Sequence, residues 1–241
     1  MVDQSLNFRA NTRLKDILGR GLILNDNVAI IELIKNGKDA NSGEVQIQFT
    51  DAWFESPSSK IVVTDYGDGM SIEDFKTKWL NIAYSEKRNK KNNGRAYAGD
   101  KGVGRFSCDR LGRRLTLISR KKGHEPFQVN IDWRDFEVDD IDKEISDINI
   151  QGGLVSKSHH EKILGSKSTG TVLIIEDLRS IWGWDKLEKL RKELERFIID
   201  PGKKFKVHLR SEDIQDDEGN LVFDGYVETV SYTHLTLPTK A

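Results

Sequence analysis

The stretch from Asp26 to Ala40, DNVAIIELIKNGKDA, constrains the fold more than any other part of the chain. Its apolar residues recur at helical spacing and predict an α-helix. Glu32, Asn36 and Asp39 follow at i, i+4 and i+7, so they form a polar line along that helix. A carboxylate buried between apolar neighbours is costly unless it is paired or bound, so the line predicts a functional cavity. An ordinary amphipathic helix with its charges in water explains the same spacing equally well.

Strand and helix patterns alternate irregularly along the rest of the chain. The predicted strands cover residues 45–49, 61–64, 115–119, 127–131, 171–175 and 205–209. The further predicted helices cover residues 71–80, 103–111 and 184–199. Strands mixed with helices, without strict βαβ alternation, favour a two-layer α+β sandwich in a single domain.

The composition favours a soluble globular protein. Hydrophobic residues make up 37% and charged residues 32% of the 241 residues, and the formal net charge is -1. A charge so close to zero gives no general attraction to nucleic acid or to an anionic membrane. No apolar run approaches the ~20 residues that span a bilayer, and the single cysteine cannot form an internal disulfide. We therefore expect a cytoplasmic protein with no membrane partner, in which a nucleic-acid partner is not indicated.

The last residues are expected to be foreign to the protein. The run from Val230 to Thr239, VSYTHLTLPT, is the translation, in one frame, of a transposase mosaic-end sequencing adapter with its read-through tail. A genuine terminal strand is the alternative. Because engineered scars are excluded from fold reasoning, we take residues 1–229 as one domain, the N-terminal part of a longer protein, and residues 230–241 as adapter translation.

A second motif, D-x-G-x-G, runs from Asp65 to Gly69 directly after the predicted strand IVVT. Glycines at a strand end let the backbone approach a ligand closely. A carboxylate at that place can accept a hydrogen bond from an amine. A plain Asp-Gly turn explains the motif when it stands alone.

A third motif, G-x-x-G-x-G, is formed by Gly99, Gly102 and Gly104 at the end of a Lys-, Asn- and Gly-rich stretch, 85–104, that is predicted to be a long loop. Long loops in compact domains often cover sites. Spaced glycines before a helix expose backbone N–H groups to an anion, and Lys101 adds a positive charge. The motif is not a Walker A sequence, since it lacks GK[ST] and no strand directly precedes it. A flexible hinge is a compatible interpretation.

The fourth element is Gly170-Thr171, at the start of the predicted strand TVLIIEDL. A threonine hydroxyl there can hydrogen-bond a ligand directly or through water. A β-branched residue often begins a strand for structural reasons, so this pair alone is weak evidence for a ligand site.

Taken in chain order, these four elements resemble the motifs of the GHKL ATPases, the superfamily of gyrase, the heat-shock chaperone, histidine kinases and MutL. The stretch Glu32 to Ala40 corresponds to E-L-x-x-N-x-x-D-A, and the other three follow in the expected order. The resemblance covers roughly residues 8 to 210 and is greatest to bacterial heat-shock-chaperone-like and MutL-like proteins. It implies a Bergerat-type ATP-binding fold, a two-layer sandwich of a mixed sheet with helices on one face.

The resemblance also implies a role for each position. Glu32 would be the general base that activates the attacking water, and Asn36 would coordinate Mg²⁺. Asp65 would accept a hydrogen bond from the adenine amine, with Thr171 supporting it through water. Asp39 would fix the site or support Asn36 more than touch ATP.

The remaining nucleotide contacts implied by the resemblance come from the backbone and from the predicted loop 85–104, which would act as a lid over the nucleotide. They are Gly67, Gly69, Met70, Lys87, Gly99, Lys101, Gly102, Val103 and Gly104. Position 37 is glycine where many relatives carry Ala or Ser, at a cost to the helix of up to ~1 kcal/mol.

The implied function is Mg²⁺-dependent ATP binding and slow hydrolysis, with lid closure coupled to conformational change or to a homodimer formed on ATP binding. A histidine-kinase-type catalytic domain is one alternative. It ranks lower because no helix with a phosphoacceptor histidine is evident before residue 28. A nucleotide-gated interaction module with little hydrolysis is the other.

Overall fold

The computed structural model describes residue 12 and residues 23–81, 91–92, 95–96, 106–137, 143–165, 167–197 and 205–227. Its helices are α1 (Asp26–Asp39), α2 (Ile72–Asp74), α3 (Ser107–Leu111), α4 (Lys157–Leu164) and α5 (Trp184–Phe197). Its strands are β1 (Glu44–Thr50), β2 (Lys60–Asp65), β3 (Lys91–Asn92), β4 (Arg95–Ala96), β5 (Gly112–Arg120), β6 (Phe127–Asp132), β7 (Gln151–Leu154), β8 (Gly170–Leu178), β9 (Lys206–Ser211) and β10 (Asp224–Tyr226).

Eight of these strands form one sheet in the order β10-β9-β1-β2-β8-β5-β6-β7. The pair β1–β9 is parallel and the other neighbours are antiparallel, so the sheet is mixed. β3 and β4 pair separately. The predicted α+β class with a mixed sheet is confirmed.

One face of the sheet carries the main core. Alternate residues of β1 (Val45, Ile47 and Phe49) are buried there, beneath the apolar sides of α1 and α5. Burying such a side chain stabilises the fold by ~1.5–3 kcal/mol relative to leaving it exposed. The short helix α4, which the sequence did not predict, packs Leu164 onto the opposite face in a smaller cluster.

The predicted helices are present, and those at 71–80 and 103–111 are more irregular than expected. Asn25 caps α1 by accepting a hydrogen bond from the Val28 N–H at 2.9 Å. The predicted helix 71–80 is one α-helical turn, α2, continued by the π-helical turn Phe75–Trp79. In the described part of 103–111, the α-helix begins only at Ser107.

The predicted loop 85–104 contains the two-residue strands β3 and β4, which are too short to show an alternating pattern in the sequence. Among the described residues, every helix is either too short or too polar to traverse a lipid bilayer.

Candidate functional site

Three polar residues lie side by side across the middle of the sheet. Asp65 is the register partner of Thr171, and Thr171 is the register partner of Ser119. Directly paired residues of antiparallel strands project from the same face. Two residues away along β2 and β5, Val63 and Leu117 are buried in the main core. This polar row, Asp65–Thr171–Ser119, therefore continues the apolar core face at one end of the sheet and faces the helix layer.

The Ser119 hydroxyl connects three segments of the chain. It is fully buried, and it accepts a hydrogen bond from the Met70 N–H at 2.9 Å. It also donates to the carbonyl oxygen of Gly170 at 3.0 Å and lies 2.9 Å from the Thr171 hydroxyl. One side chain thus joins the end of the D-x-G-x-G loop to the end of β5 and the start of β8.

Glycines allow the backbone around the row to pack without side chains. A Cβ atom at Gly69, where φ is +64°, would lie 2.0 Å from the carbonyl oxygen of Arg120. A Cβ atom at Gly170, where φ is +143°, would lie 2.3 Å from the carbonyl oxygen of Asp65. Both φ values are in the region that favours glycine. These two positions fix how closely the loop and the neighbouring strand ends approach one another.

The C-terminal end of α1 is tied to the same loop. The Asp68 N–H donates to the carbonyl oxygen of Ala40 at 2.7 Å, and Asn41 Nδ2 donates to Asp68 Oδ2 at 2.6 Å. A Cβ atom at Gly67 would lie 2.3 Å from that same Ala40 oxygen, so a side chain there would break the contact. The Tyr66 N–H donates to the Ser42 hydroxyl at 2.9 Å.

Gly37 explains how α1 comes close to Asp65. It is buried, and a Cβ atom there would lie 2.6 Å from Val45 Cγ2 and 3.0 Å from Asp65 Cβ. The unusual glycine in this helix therefore lets the helix backbone approach the end of β2, which offsets its poor helix propensity.

The pKa of Asp65 is strongly shifted by its surroundings. Burial raises the pKa of its carboxyl group to about 6, against the opposing effect of backbone hydrogen bonds from Gly67 and Thr171. The Gly67 N–H donates to Oδ1 at 2.9 Å, and the charge of Asp68 adds to the upward shift. A half-buried carboxylate with a raised pKa beside a glycine loop is typical of a ligand site.

The polar line of α1 is not buried, contrary to the expectation drawn from its apolar neighbours. Asn36 is exposed, Asp39 is half-buried, and Glu32 Oε1 accepts a hydrogen bond from Lys35 Nζ at 2.6 Å. The reason is that Val28 and Ile31, which border the line, are themselves only partly buried. The line lies on the side of α1 that solvent can reach, where a ligand can also approach.

Some of the other predicted nucleotide contacts lie within the residues that the structure describes, and some lie outside them. Met70 contributes its backbone N–H to Ser119, and its side chain packs partly buried against the core. Six of the predicted contacts lie outside the described residues: Lys87, Gly99, Lys101, Gly102, Val103 and Gly104.

The segment that follows the G-x-x-G-x-G motif is held against α1. Arg110 Nε lies 2.9 Å from Asp26 Oδ1, which joins α3 to the first turn of α1. Arg179 Nη2 lies 2.9 Å from the fully buried Asp109, which joins α3 to the segment after β8. The motif therefore leads into an element attached to the helix that carries Glu32.

The sequence interpretation missed Ser119, Asn41 and Ser42. A signal for Ser119 was present, because Leu115, Leu117 and Ser119 alternate along β5 and place a serine where a core residue is expected. Asn41 and Ser42 act through contacts with a loop 24 or more residues away, which local patterns do not reveal.

Residues 24–170 match the family model described as "Histidine kinase-, DNA gyrase B-, and HSP90-like ATPase". The match includes the polar line of α1 and both glycine motifs. A protein of Herpetosiphon aurantiacus described as "Putative type II restriction enzyme HgiDII" is 29% identical over 217 residues, which cover 88% of this chain. The chain spans 32% of the length of that relative.

Proposed function

Because the chain belongs to the family of histidine kinase-, DNA gyrase B- and HSP90-like ATPases, we propose that it binds ATP together with Mg²⁺ and hydrolyses it. The observation that carries the proposal is the polar row, which places a carboxylate and two hydroxyl groups at the end of an apolar face. Such a combination suits a purine base that carries an amine.

In this proposal the Asp65 carboxylate accepts a hydrogen bond from the amine of adenine. Its Oδ1 already accepts the Gly67 N–H, which orients the carboxylate. With a pKa of about 6, the group is mostly ionised at pH 7 and remains an acceptor. The Thr171 hydroxyl supports the amine directly or through water.

Asn36 and Glu32 act at the phosphate end. The Asn36 side chain is exposed, and its amide oxygen is the kind of ligand that Mg²⁺ accepts alongside waters and substrate phosphates. Mg²⁺, when bound, offsets the charge of the phosphates. Glu32 takes a proton from the water whose oxygen attacks the γ-phosphorus, and the bond between that phosphorus and the β–γ bridging oxygen breaks, so that ADP and phosphate are the products. Asp39 fixes the site or supports Asn36.

Lys87, Gly99, Lys101, Gly102, Val103 and Gly104 complete the proposal as phosphate contacts. All six lie within residues 24–170, which match the family model, and Gly99 to Gly104 form the glycine motif itself. Closure of this lid is coupled to a conformational change or to homodimerisation. The ion pair between Arg110 and Asp26 supports such coupling, because it links the segment after the motif to α1.

A second candidate is a nucleotide-gated module that binds ATP with little turnover and controls another part of a longer protein. The similarity to a relative described as a restriction enzyme, of which this chain spans 32%, favours it. Phosphate transfer to a histidine on another chain, as in a histidine kinase, is the remaining alternative.

Phosphate release under single-turnover conditions separates these functions. We expect Mg²⁺-dependent release by the wild type and release slowed by a factor of about 100 or more in Glu32→Gln, with ATP binding retained. Glu188→Gln, a carboxylate-to-amide change on the surface of α5, is the matched control and should release phosphate normally. Binding without release in the wild type supports the gated module, and labelled phosphate on a histidine supports the kinase.

A further inference from the structure

Three segments of the chain lie at the end of the sheet opposite the polar row. They are residues 51–59 after β1, residues 181–185 between β8 and the first turn of α5, and residues 213–223 after β9. β1 begins beside Asp65 and ends beside Lys60, so the length of the strand separates the segment that follows it from the polar row. This end of the sheet therefore lies apart from the proposed nucleotide site.

Hydrogen bonds and a ring contact join the three segments. The Trp182 N–H donates to the Ala52 carbonyl at 2.8 Å, and the Asp213 carboxylate accepts the Ala52 N–H at 2.8 Å. The ring of Trp184 meets the ring of Phe223 edge-on, with 5.3 Å between the centroids. The three segments therefore form one surface.

Large apolar side chains are left exposed on this surface. Trp182 is fully buried and packs against Phe49. Five of its neighbours, by contrast, are between 37% and 70% exposed, and we call them the end patch: Trp53, Phe54, Ile181, Trp184 and Val222. Apolar residues that are exposed singly are ordinary, whereas a cluster that includes three aromatic rings is typical of an interaction site.

Every charged residue in the three segments is acidic. The segments contain seven carboxylates and no lysine, arginine or histidine, although the whole chain has 38 basic and 39 acidic residues. The adjoining cation, Lys186, is already paired with Asp26. Six of the carboxylates are exposed and form an acidic rim to the end patch: Asp51, Glu55, Asp185, Asp216, Asp217 and Glu218.

The apolar patch and its acidic rim together indicate the chemistry of a partner. The rim would repel nucleic acid and anionic lipid. A second copy docked through the same surface would bring like charges together. A polypeptide segment with apolar side chains between lysines or arginines matches both properties. We propose that the end patch and its acidic rim bind a basic, apolar segment of a partner protein. This inference is independent of the proposed binding of ATP.

A short synthetic amphipathic peptide of leucine and lysine is the probe that tests the proposal. Fluorescence anisotropy of the labelled peptide, titrated with the full chain, should show saturable binding that weakens as the salt concentration rises. Phe54→Gln and Trp184→Gln should each weaken the binding about tenfold, because exposed aromatic residues dominate such contacts. Leu154→Gln is the matched control, since Leu154 is 63% exposed but lies in β7, and it should bind normally.

The acidic rim is tested by removing two of its charges. Glu55→Gln combined with Asp217→Asn should weaken the binding about threefold to fivefold and reduce its dependence on salt. The control is Glu73→Gln combined with Glu125→Gln, which changes the net charge equally at two exposed carboxylates away from the end patch. It should leave the affinity almost unchanged.

Several results would overturn the proposal. Among them are no binding of the leucine–lysine peptide to the folded chain, equal binding of a matched leucine–glutamate peptide, and equal weakening in Phe54→Gln and Leu154→Gln. Self-association in sedimentation experiments that Phe54→Gln abolishes would assign the end patch to a second copy of the chain and would also overturn it.

Discussion

The ionised form of Asp65 is costly in the unliganded protein. Burial raises the pKa of its carboxyl group to about 6, whereas the ordinary value is 3.8. Since each pKa unit corresponds to ~1.36 kcal/mol, keeping the carboxylate ionised lowers stability at pH 7 by up to ~3 kcal/mol. The amine of a bound base would recover part of this cost.

Asp65→Asn is therefore expected to raise the free energy of unfolding at pH 7 by up to ~3 kcal/mol in urea titrations. The native carboxyl group holds its proton up to about pH 6 and the unfolded one only to about 3.8, so the wild type loses stability from this group as the pH rises between those values. The advantage of Asp65→Asn should thus be full at pH 7 and absent near pH 4. An equal advantage at both values would contradict the assignment.

Asp68→Asn is the matched control for that change. Asp68 is an exposed carboxylate in the same loop, and it accepts a hydrogen bond from Asn41. Its replacement should bring a much smaller gain in stability at pH 7, because it removes only the contribution of the Asp68 charge to the raised pKa of Asp65 and relieves little desolvation.

Gly37→Ala tests the close approach of α1 to β2. Alanine favours a helix over glycine by ~1 kcal/mol, but the added methyl group would meet Val45 Cγ2 at 2.6 Å and Asp65 Cβ at 3.0 Å. Overpacking of this kind costs ~1–3 kcal/mol, so we expect a net loss of stability in thermal unfolding. In a Val45→Ala background the same change should be neutral or stabilising. A stabilised single variant would show that the helix can move away from the strand.

At the scale of single residues, the sequence predicted candidate site residues from their types and motifs, and it missed residues whose contacts depend on the register between strands. Asp65 and Thr171 belong to recognisable motifs. Ser119 acquires its role because β5 and β8 align it with Thr171, and Gly37 because α1 lies against β2. Pairing between strands more than 50 residues apart cannot be read from local patterns.

Among the elements, α3 is joined to both α1 and α5 through Asp26. Burial opposes the ionisation of Asp26, but hydrogen bonds from Lys186, Ser180 and Arg110 outweigh it and lower its pKa. Lys186 Nζ lies 2.5 Å and Arg110 Nε 2.9 Å from its two oxygens. The network fixes the segment that follows the G-x-x-G-x-G motif.

Asp26→Ala should therefore lower the free energy of unfolding by about 2–3 kcal/mol, because it leaves two partly buried cations without their carboxylate. Urea unfolding measures the effect. Glu188→Ala is the control, since its pairs with Arg191 and Lys192 lie on the surface of α5 and should contribute less than ~1 kcal/mol. Equal losses in the two variants would argue against a special role for the network.

The elements predicted from the sequence are those whose apolar residues recur with a clear helical or alternating spacing. α1, α5 and the central strands carry apolar residues at helical or alternating positions. β7, with the sequence QGGL, and β10, with DGY, have no such pattern and form by pairing with β6 and β9. α4 is short and polar, and its contact with the second face of the sheet and the Ser156 cap stabilise it.

In the molecule as a whole, the polar row and the end of the described chain lie at the same end of the sheet. The Val227 N–H donates to the Val207 carbonyl, and the Lys206 N–H donates to the carbonyl of Gly43, next to the segment that ties α1 to the D-x-G-x-G loop. Val227 thus lies at the same end of the sheet as the C-terminal end of α1.

Calorimetric titration of ATP with Mg²⁺ into the wild type and Asp65→Asn tests the central claim most directly. We predict saturable binding of one ATP per chain by the wild type and a loss of affinity of at least about tenfold in a folded Asp65→Asn, because the amine loses its charged acceptor. A folded wild-type protein that binds no ATP, or equal affinity in the two proteins, would contradict the claim.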